Sequence, residues 1–262
     1  MNLPASGRPA RPKKRLGQHF LKDPNTARIV AAGVGGEDVV LEVGPGRGFL
    51  TAFLAERARL VHAVEIDPDV LPELRRAVEG HGGVIIHEAD ALRFDYAALS
   101  PLPNRLAANL PYNIASPLVL RLLEEVPSLE RMRFMVQLEV AQRMTARPGS
   151  KDYGAYTVLV RLLSRPEIVH RVSPRVFDPP PRVRSAVVEL ERRGDAPEDY
   201  SGVKELVVSA FRSRRKRLPN NLPPTLRGRA EEALAALGRG PDTRAEELSP
   251  EDFTALHRRL SA

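Results

Sequence analysis

Val39-Val40-Leu41-Glu42-Val43-Gly44-Pro45-Gly46-Arg47-Gly48 is an apolar run that passes without a spacer into a Gly-x-Gly-x-Gly turn. Phe49 to Arg57 follows with helical spacing. The valine-rich half predicts a buried strand. The glycines predict a turn where backbone comes close to a ligand, ahead of a helix whose first N–H groups lack partners. The pattern is not the Gly-x-Gly-x-x-Gly of dinucleotide folds, because Phe49 and Leu50 follow Gly48. No Gly-Lys pair occurs anywhere, which excludes a P-loop.

Outward from this stretch the chain alternates. Leu60 to Ile66, Val84 to His87, Arg105 to Asn109, Arg133 to Leu138 and Ile168 to Val172 read as short strands. Asp69 to Val78 and Pro117 to Glu125 read as helices between them, the pattern of βαβ units on a parallel sheet. A last strand, Ala186 to Glu191, follows the Pro-rich Asp178 to Val183. Beyond Arg193 strand signals stop, and Val203 to Arg212, Leu226 to Leu237 and Pro250 to Leu260 read as helices, the last capped by Ser249. The expected class is α/β with a Rossmann-like domain over 23–195 and a small all-helical C-terminal domain over 196–262. A basic arm occupies 1–22.

With 262 residues, 42% of them hydrophobic, the chain has material for a sizeable core, which rules out a disordered or fibrous protein. The net charge of +7 is unevenly placed. Residues 1–22 hold six cations, among them Arg8, Arg11, Lys13 and Arg15, and no acid. Leu206 to Arg229 is likewise free of acid and holds Arg212, Arg214, Arg215, Lys216, Arg217, Arg227 and Arg229. Without these segments 27 basic residues face 33 acidic ones, so the body is mildly acidic. Such segregation predicts a polyanionic partner met at defined places, and Arg212, Arg214, Arg215, Lys216 and Arg217 are the candidate RNA-binding residues.

Several classes drop out. The absence of cysteine removes disulfide scaffolds, thiolate metal sites and cysteine nucleophiles. The six histidines show no metal-ligand spacing, so no metal is expected. The longest uncharged run, Leu106 to Leu120, is 15 residues with two prolines, too short for a membrane helix, and no signal peptide opens the chain. A cytoplasmic protein without a membrane partner is expected.

Two acids complete the glycine turn. Glu65 closes the second strand, 21 residues after Gly44, where a carboxylate can accept both hydroxyls of a ribose. Asp90 follows the third strand, placed to meet an adenine amino group. Together they fit an adenosine-bearing cofactor without a pyrophosphate, which favours S-adenosylmethionine over NAD. After the fourth strand comes Asn109-Leu110-Pro111-Tyr112-Asn113, at the carboxyl edge of the sheet. This suits methylation of an exocyclic amine, whose lone pair is delocalised into its ring and must be aligned. The Asn109 amide oxygen and the Leu110 carbonyl, directed by Pro111, can accept the two N–H bonds. Tyr112 can stack on the base, a contact worth roughly 1–3 kcal/mol.

At these residues the chain resembles the ribosomal RNA adenine N6,N6-dimethyltransferases of the KsgA/RsmA type. The matching pieces are Arg15 to Leu21, Glu42 to Gly46, Glu65 to Asp67, Asn109 to Ile114, Phe177 to Val183, Ser185 to Val188 and Phe211 to Lys216. The resemblance implies a class I methyltransferase domain acting on two adjacent adenines near the 3′ end of small-subunit rRNA, with two methyls delivered to each. It implies S-adenosylmethionine as cofactor and immature small ribosomal subunits as partners. By position, His19, Leu21, Gly44, Gly46, Glu65, Ile66, Asp90, Ala91 and Asn109 would hold the cofactor. The family usually shows Asn where this chain has His19. Phe177 would be the second wall of a base sandwich with Tyr112, the alternative being an ordinary buried aromatic. A monomer is expected, since a bulky ribosomal substrate needs open access.

Other readings stand beside this one. A large-subunit rRNA adenine methyltransferase of the macrolide-resistance type shares the glycine and Asn-x-Pro-Tyr features. An assembly factor whose binding outweighs its catalysis would share the basic segments. Arg121 and Glu125 read as the solvent face of an ordinary helix, and Tyr153 and Tyr156 as packing residues rather than RNA contacts.

Overall fold

The structure is a computed structural model that describes residues 10–261. Arg8 of the basic arm therefore lies outside the described residues. In chain order the strands are β1 (Phe20–Leu21), β2 (Val39–Val43), β3 (Leu60–Glu65), β4 (Val84–Glu88), β5 (Arg105–Asn109), β6 (Arg131–Gln137), β7 (Ser164–Val172), β8 (Phe177–Asp178) and β9 (Ser185–Arg192). The helices are α1 (Pro24–Val30), α2 (Phe49–Ala55), α3 (Leu71–Ala77), α4 (Ala115–Glu125), α5 (Leu138–Thr145), α6 (Ala155–Leu163), α7 (Tyr200–Ala210), α8 (Leu218–Asn221), α9 (Arg227–Ala236) and α10 (Pro250–Ser261).

Seven strands form one sheet in the order β4-β3-β2-β5-β6-β9-β7. Pairing is parallel from β4 through β6, with Val40 opposite Val61 on one side and Arg105 on the other. Every residue of β2 is buried, as a strand flanked on both sides and covered on both faces requires. From β2 the chain steps outward through β3 to β4, then crosses back to place β5 on the other flank of β2. That reversal opens a crevice at the carboxyl ends of β2 and β5, where Gly44 and Asn109 stand. Val40, Leu50, Leu54, Val61, Ala107 and Met135 belong to one apolar cluster beside them. Each buried Leu or Val there contributes about 1.5–3 kcal/mol relative to exposure.

At the β3–β4 edge a histidine pair replaces apolar packing. His62 Nε2 lies 3.0 Å from the Pro101 carbonyl, which can only accept, so that nitrogen carries the proton. His62 Nδ1, 3.1 Å from His87 Nε2, is then the acceptor. Burial favours the uncharged form of both rings and lowers both pKa values.

Packing separates the chain into two compact units. One holds the chain up to Leu138 together with Ile168–Leu190, and the other holds Glu139–Glu167 with Glu191 onward. The helical unit thus begins close to the boundary read from the sequence but also takes in 139–167, which a single cut near residue 195 does not anticipate. The reason is α6, whose Val158, Leu159, Val160, Leu162 and Leu163 are buried and which packs on α7 and α10. Tyr153 is fully buried in the same unit, its hydroxyl donating to the Leu248 carbonyl at 2.7 Å. At α10 the Ser249 hydroxyl accepts the Asp252 N–H at 3.0 Å and Asp252 returns the bond to Ser249 N–H at 2.9 Å, a reciprocal cap. Among the described residues no helix is long and apolar enough to cross a membrane.

Candidate active site

The crevice at the strand reversal deepens into a cavity of about 760 Å³. Its floor is the glycine turn. Gly44 has φ +72° and Gly46 φ +55°, and a Cβ on Gly46 would stand 2.9 Å from the Phe20 ring. Both positions need glycine for conformation and for space. The turn is fixed by Gly44 N–H bonding Val64 C=O at 3.0 Å and by Gly46 N–H donating to Glu65 Oε2 at 2.9 Å.

Glu65 itself is 4% exposed, and its other oxygen accepts the Asp67 N–H at 2.9 Å. Each oxygen keeps a second lone pair, so the carboxylate can still take ligand hydroxyls. Ile66 is half-exposed into the cavity and offers an apolar face beside it. Asp90 reaches the cavity while one of its oxygens closes a turn on the Leu92 N–H at 2.9 Å. Ala91 follows it, buried.

Arg121 shapes this rim in a way the sequence does not disclose. Its guanidinium donates to the carbonyls of Ala91 and Phe94, each at 2.9 Å, and lies 5.2 Å from the Tyr96 ring centre. The Tyr96 hydroxyl donates to the same Ala91 carbonyl at 2.8 Å. A residue that reads as helix surface is thus a clamp on the loop that carries Asp90. Its pairing with Glu125 at 2.8 Å is what the i,i+4 spacing signals, and nothing in the spacing signals the rest.

Beside the glycine turn, Asn109, Leu110, Pro111 and Tyr112 line the cavity. Asn109 Nδ2 donates to the His19 carbonyl at 3.0 Å, which fixes the amide so that it cannot flip. Its Oδ1 is buried and has no hydrogen-bond partner in the protein. An acceptor held in this state costs stability unless a ligand N–H completes it. The Tyr112 ring stands 5.5 Å from the His19 ring, and its hydroxyl pairs with Ser185 Oγ at 2.6 Å. His19 Nδ1 lies 2.7 Å from the Pro179 carbonyl and so carries its proton there. Leu21, beside it in β1, also lines the cavity.

Phe177 is placed elsewhere. It is 0% exposed and packs in the apolar cluster with Leu21, Val30 and Leu50, paired through β8 with Leu21 of β1. It does not line the cavity, and the ring that stands against Tyr112 is that of His19. The reason is the short β1–β8 ribbon, which turns Phe177 inward while Asp178 faces the cavity.

The basic segment after α7 divides. Arg212 and Lys216 line a smaller cavity of about 380 Å³ with Ser209, Ser213, Asn220 and Arg227. Arg214 pairs with Glu246 at 2.9 Å and donates to the Lys151 carbonyl, while Arg217 stands 3.6 Å from Asp242. Arg215 is exposed. Among the described residues no group of three or more histidines and acids is placed to hold a metal.

These residues fit S-adenosylmethionine. Buried Glu65, half-buried Asp90 and the glycine cradle match an adenosine with a cationic amino-acid end. A family model described as ribosomal RNA adenine dimethylase matches residues 10–261. A ribosomal RNA small subunit methyltransferase A of Rubrobacter xylanophilus is 85% identical over all of both chains. One of Mycobacterium tuberculosis is 42% identical, over 95% of this chain and 83% of its own. Among solved structures, a dimethyladenosine transferase from Plasmodium falciparum superposes with a TM-score of 0.80 at 27% identity, over 91% of this chain and 96% of that one. The 23S rRNA methyltransferase ErmE superposes at 0.72 with 33% identity, over 93% and 100%. With the family model matched along the whole described length and a relative 85% identical over all of both chains, the chain belongs to the ribosomal RNA adenine dimethylase family.

Proposed function

We propose that this enzyme transfers methyl groups from S-adenosylmethionine to the N6 amines of two adjacent adenines near the 3′ end of small-subunit rRNA, two to each. It would act as a monomer in the cytoplasm on an immature small subunit. The observation that carries the reading is Asn109, a buried amide whose nitrogen is committed to His19 and whose oxygen awaits a donor. An exocyclic amine provides that donor. The small-subunit assignment is supported by the 85% identity to a small subunit methyltransferase, against 33% to the large-subunit enzyme ErmE.

When bound, the cofactor supplies an electrophilic methyl on a sulfonium. The protein's part is alignment. Asn109 Oδ1 and the Leu110 carbonyl accept the N–H bonds of the target amine and turn its lone pair out of the ring plane. Tyr112 holds the base plane, its own hydroxyl tethered to Ser185 so that the ring cannot swing. No general base need be positioned, because the displaced proton can pass to water once the amine is alkylated. Such alignment accounts for a large share of the barrier in reactions of this kind.

The test is tritiated methyl transfer to under-methylated small subunits, with N6,N6-dimethyladenosine as product. Asn109→Ala is expected to lower kcat by at least about 10²-fold with subunit binding retained. Full activity in that variant would overturn the mechanism, and methylation of isolated large subunits in preference to small ones would overturn the substrate.

A further inference from the structure

The cavity holds an acid that the proposed chemistry does not use. Glu42 sits in β2, is 1% exposed, and lines the same cavity as Glu65. Its Oε2 is buried without a hydrogen-bond partner. The neighbouring polar group is the Thr51 hydroxyl of α2, and the neighbouring charge is Glu65 of β3, which is repulsive. No ion pair joins Glu42 or Glu65 to a basic side chain among the described residues. Arg47, which lines the cavity too, is engaged with Glu73 and Asp178.

A buried carboxylate without a cation is strongly disfavoured and takes up a proton instead. Burial pushes the Glu42 carboxyl up to about 8. Two agents can relieve it, a proton or a cationic ligand. Resting on the cofactor reading above, we propose that Glu42 is the counter-charge of this cavity, protonated in the free protein and releasing that proton to solvent when the sulfonium-bearing cofactor binds. The cofactor and its product differ by one methyl group and, with it, by the charge on sulfur, a sulfonium against a neutral thioether. Glu42 thereby makes the pocket prefer the charged methyl donor and lets the product leave as the proton returns.

Calorimetric titration of the full chain in buffers of different ionisation enthalpy tests this. At pH 7, binding of S-adenosylmethionine is expected to release about one proton, and its affinity to rise nearly tenfold per pH unit between about 6 and 7.5. S-adenosylhomocysteine should release fewer and show a flatter pH dependence. Glu42→Gln should abolish the release and narrow the preference between the two ligands. Release below roughly 0.2 proton in the wild type, equal release with both ligands, or unchanged release in the variant would overturn the proposal. If the variant does not fold, a carbon-13 titration of the Glu42 carboxyl in the wild type decides, because a group that stays ionised from pH 6 upward is incompatible with it. Binding of both ligands without proton exchange defeats this inference alone, whereas failure to bind either defeats the cofactor reading as well.

Discussion

Two segments free of acids look alike in the sequence, yet the cations that each commits to the protein's own acids go to different places. In the arm, Lys13 Nζ lies 2.5 Å from Asp67 and 2.6 Å from Asp69, and the Gln18 amide donates to Asp67 at 2.7 Å. Lys13 is thus paired inside the protein, beside Glu65 and the cavity rim, whereas Arg11, Arg15 and Lys22 are exposed and no ion pair among the described residues involves them. After α7, Arg214 and Arg217 find Glu246 and Asp242, whereas no ion pair among the described residues involves Arg212, Arg215 or Lys216. A local charge sum therefore overstates what is left for a partner, because tertiary contacts bring in acids that are distant in the chain. Each segment commits part of its charge to the protein and keeps the rest outward, the first through a clasp at Lys13 and the second through Arg214 and Arg217.

The largest expected effect separates the members of the second segment. Replacing Arg212, Arg215 and Lys216 with Ala should weaken small-subunit binding about 10²-fold near 0.15 M salt and flatten the slope of log affinity against log salt by about two to three. Replacing Arg214 and Arg217 should change that slope by less than about one. Filter binding across a salt series measures both, and equal losses would erase the distinction between paired and unpaired cations.

A smaller effect is expected at the clasp. Asp67→Asn removes the acceptor of Lys13 and Gln18 and should weaken S-adenosylhomocysteine binding about tenfold, or about 1.4 kcal/mol. Subunit binding should stay within about twofold. An unchanged cofactor affinity would show that the arm merely rests on the rim.

The smallest concerns pH. The Lys13 ammonium beside Asp67 and Asp69 is raised, and the Asp67 carboxylate, held by Lys13 and Gln18, is lowered despite its burial. A raised base contributes below its unfolded pKa and a lowered acid above its own, so the clasp is flat between about pH 5 and 9. The His62–His87 pair behaves otherwise. Both pKa values are lowered, so its contribution is complete above about 6.5 and is lost as pH falls through the folded values. Hydrogen exchange of residues 13–19 should therefore hold steady from pH 7.5 to 5.5 while Tm falls. Loss of arm protection in step with Tm would merge two events kept apart here.

What could be read from the sequence follows physical rules of range. The glycine turn, Glu65, Asp90 and the Asn109 to Tyr112 segment stand out because each is a few adjacent residues of telling chemistry at a strand end. All of them line one cavity. Arg121, Glu42 and Phe177 do not, since a role set by distant partners leaves no local pattern. Arg121 has the spacing of a surface pair, Glu42 passes for part of the turn, and Phe177 is turned inward by a ribbon two residues long. The helices of 139–167 are obscured for a related reason, for they interrupt a run of strands and their partners come after residue 191.

The β1–β8 ribbon has a consequence in time. Phe20 pairs with Asp178, and the Lys22 N–H bonds the Val176 carbonyl at 2.9 Å, so the near wall of the cavity depends on chain made more than 150 residues later. At roughly 5–20 residues per second of synthesis, that interval lasts on the order of ten seconds. For the latter half of it, once Asp90 has been made, the glycine cradle and both of its acids are translated, yet the segment bearing His19 and Leu21 has no strand to dock on. A nascent chain of this protein therefore carries an open, half-walled pocket, and it gains a closed one only when its Pro-rich loop leaves the ribosome that is building it.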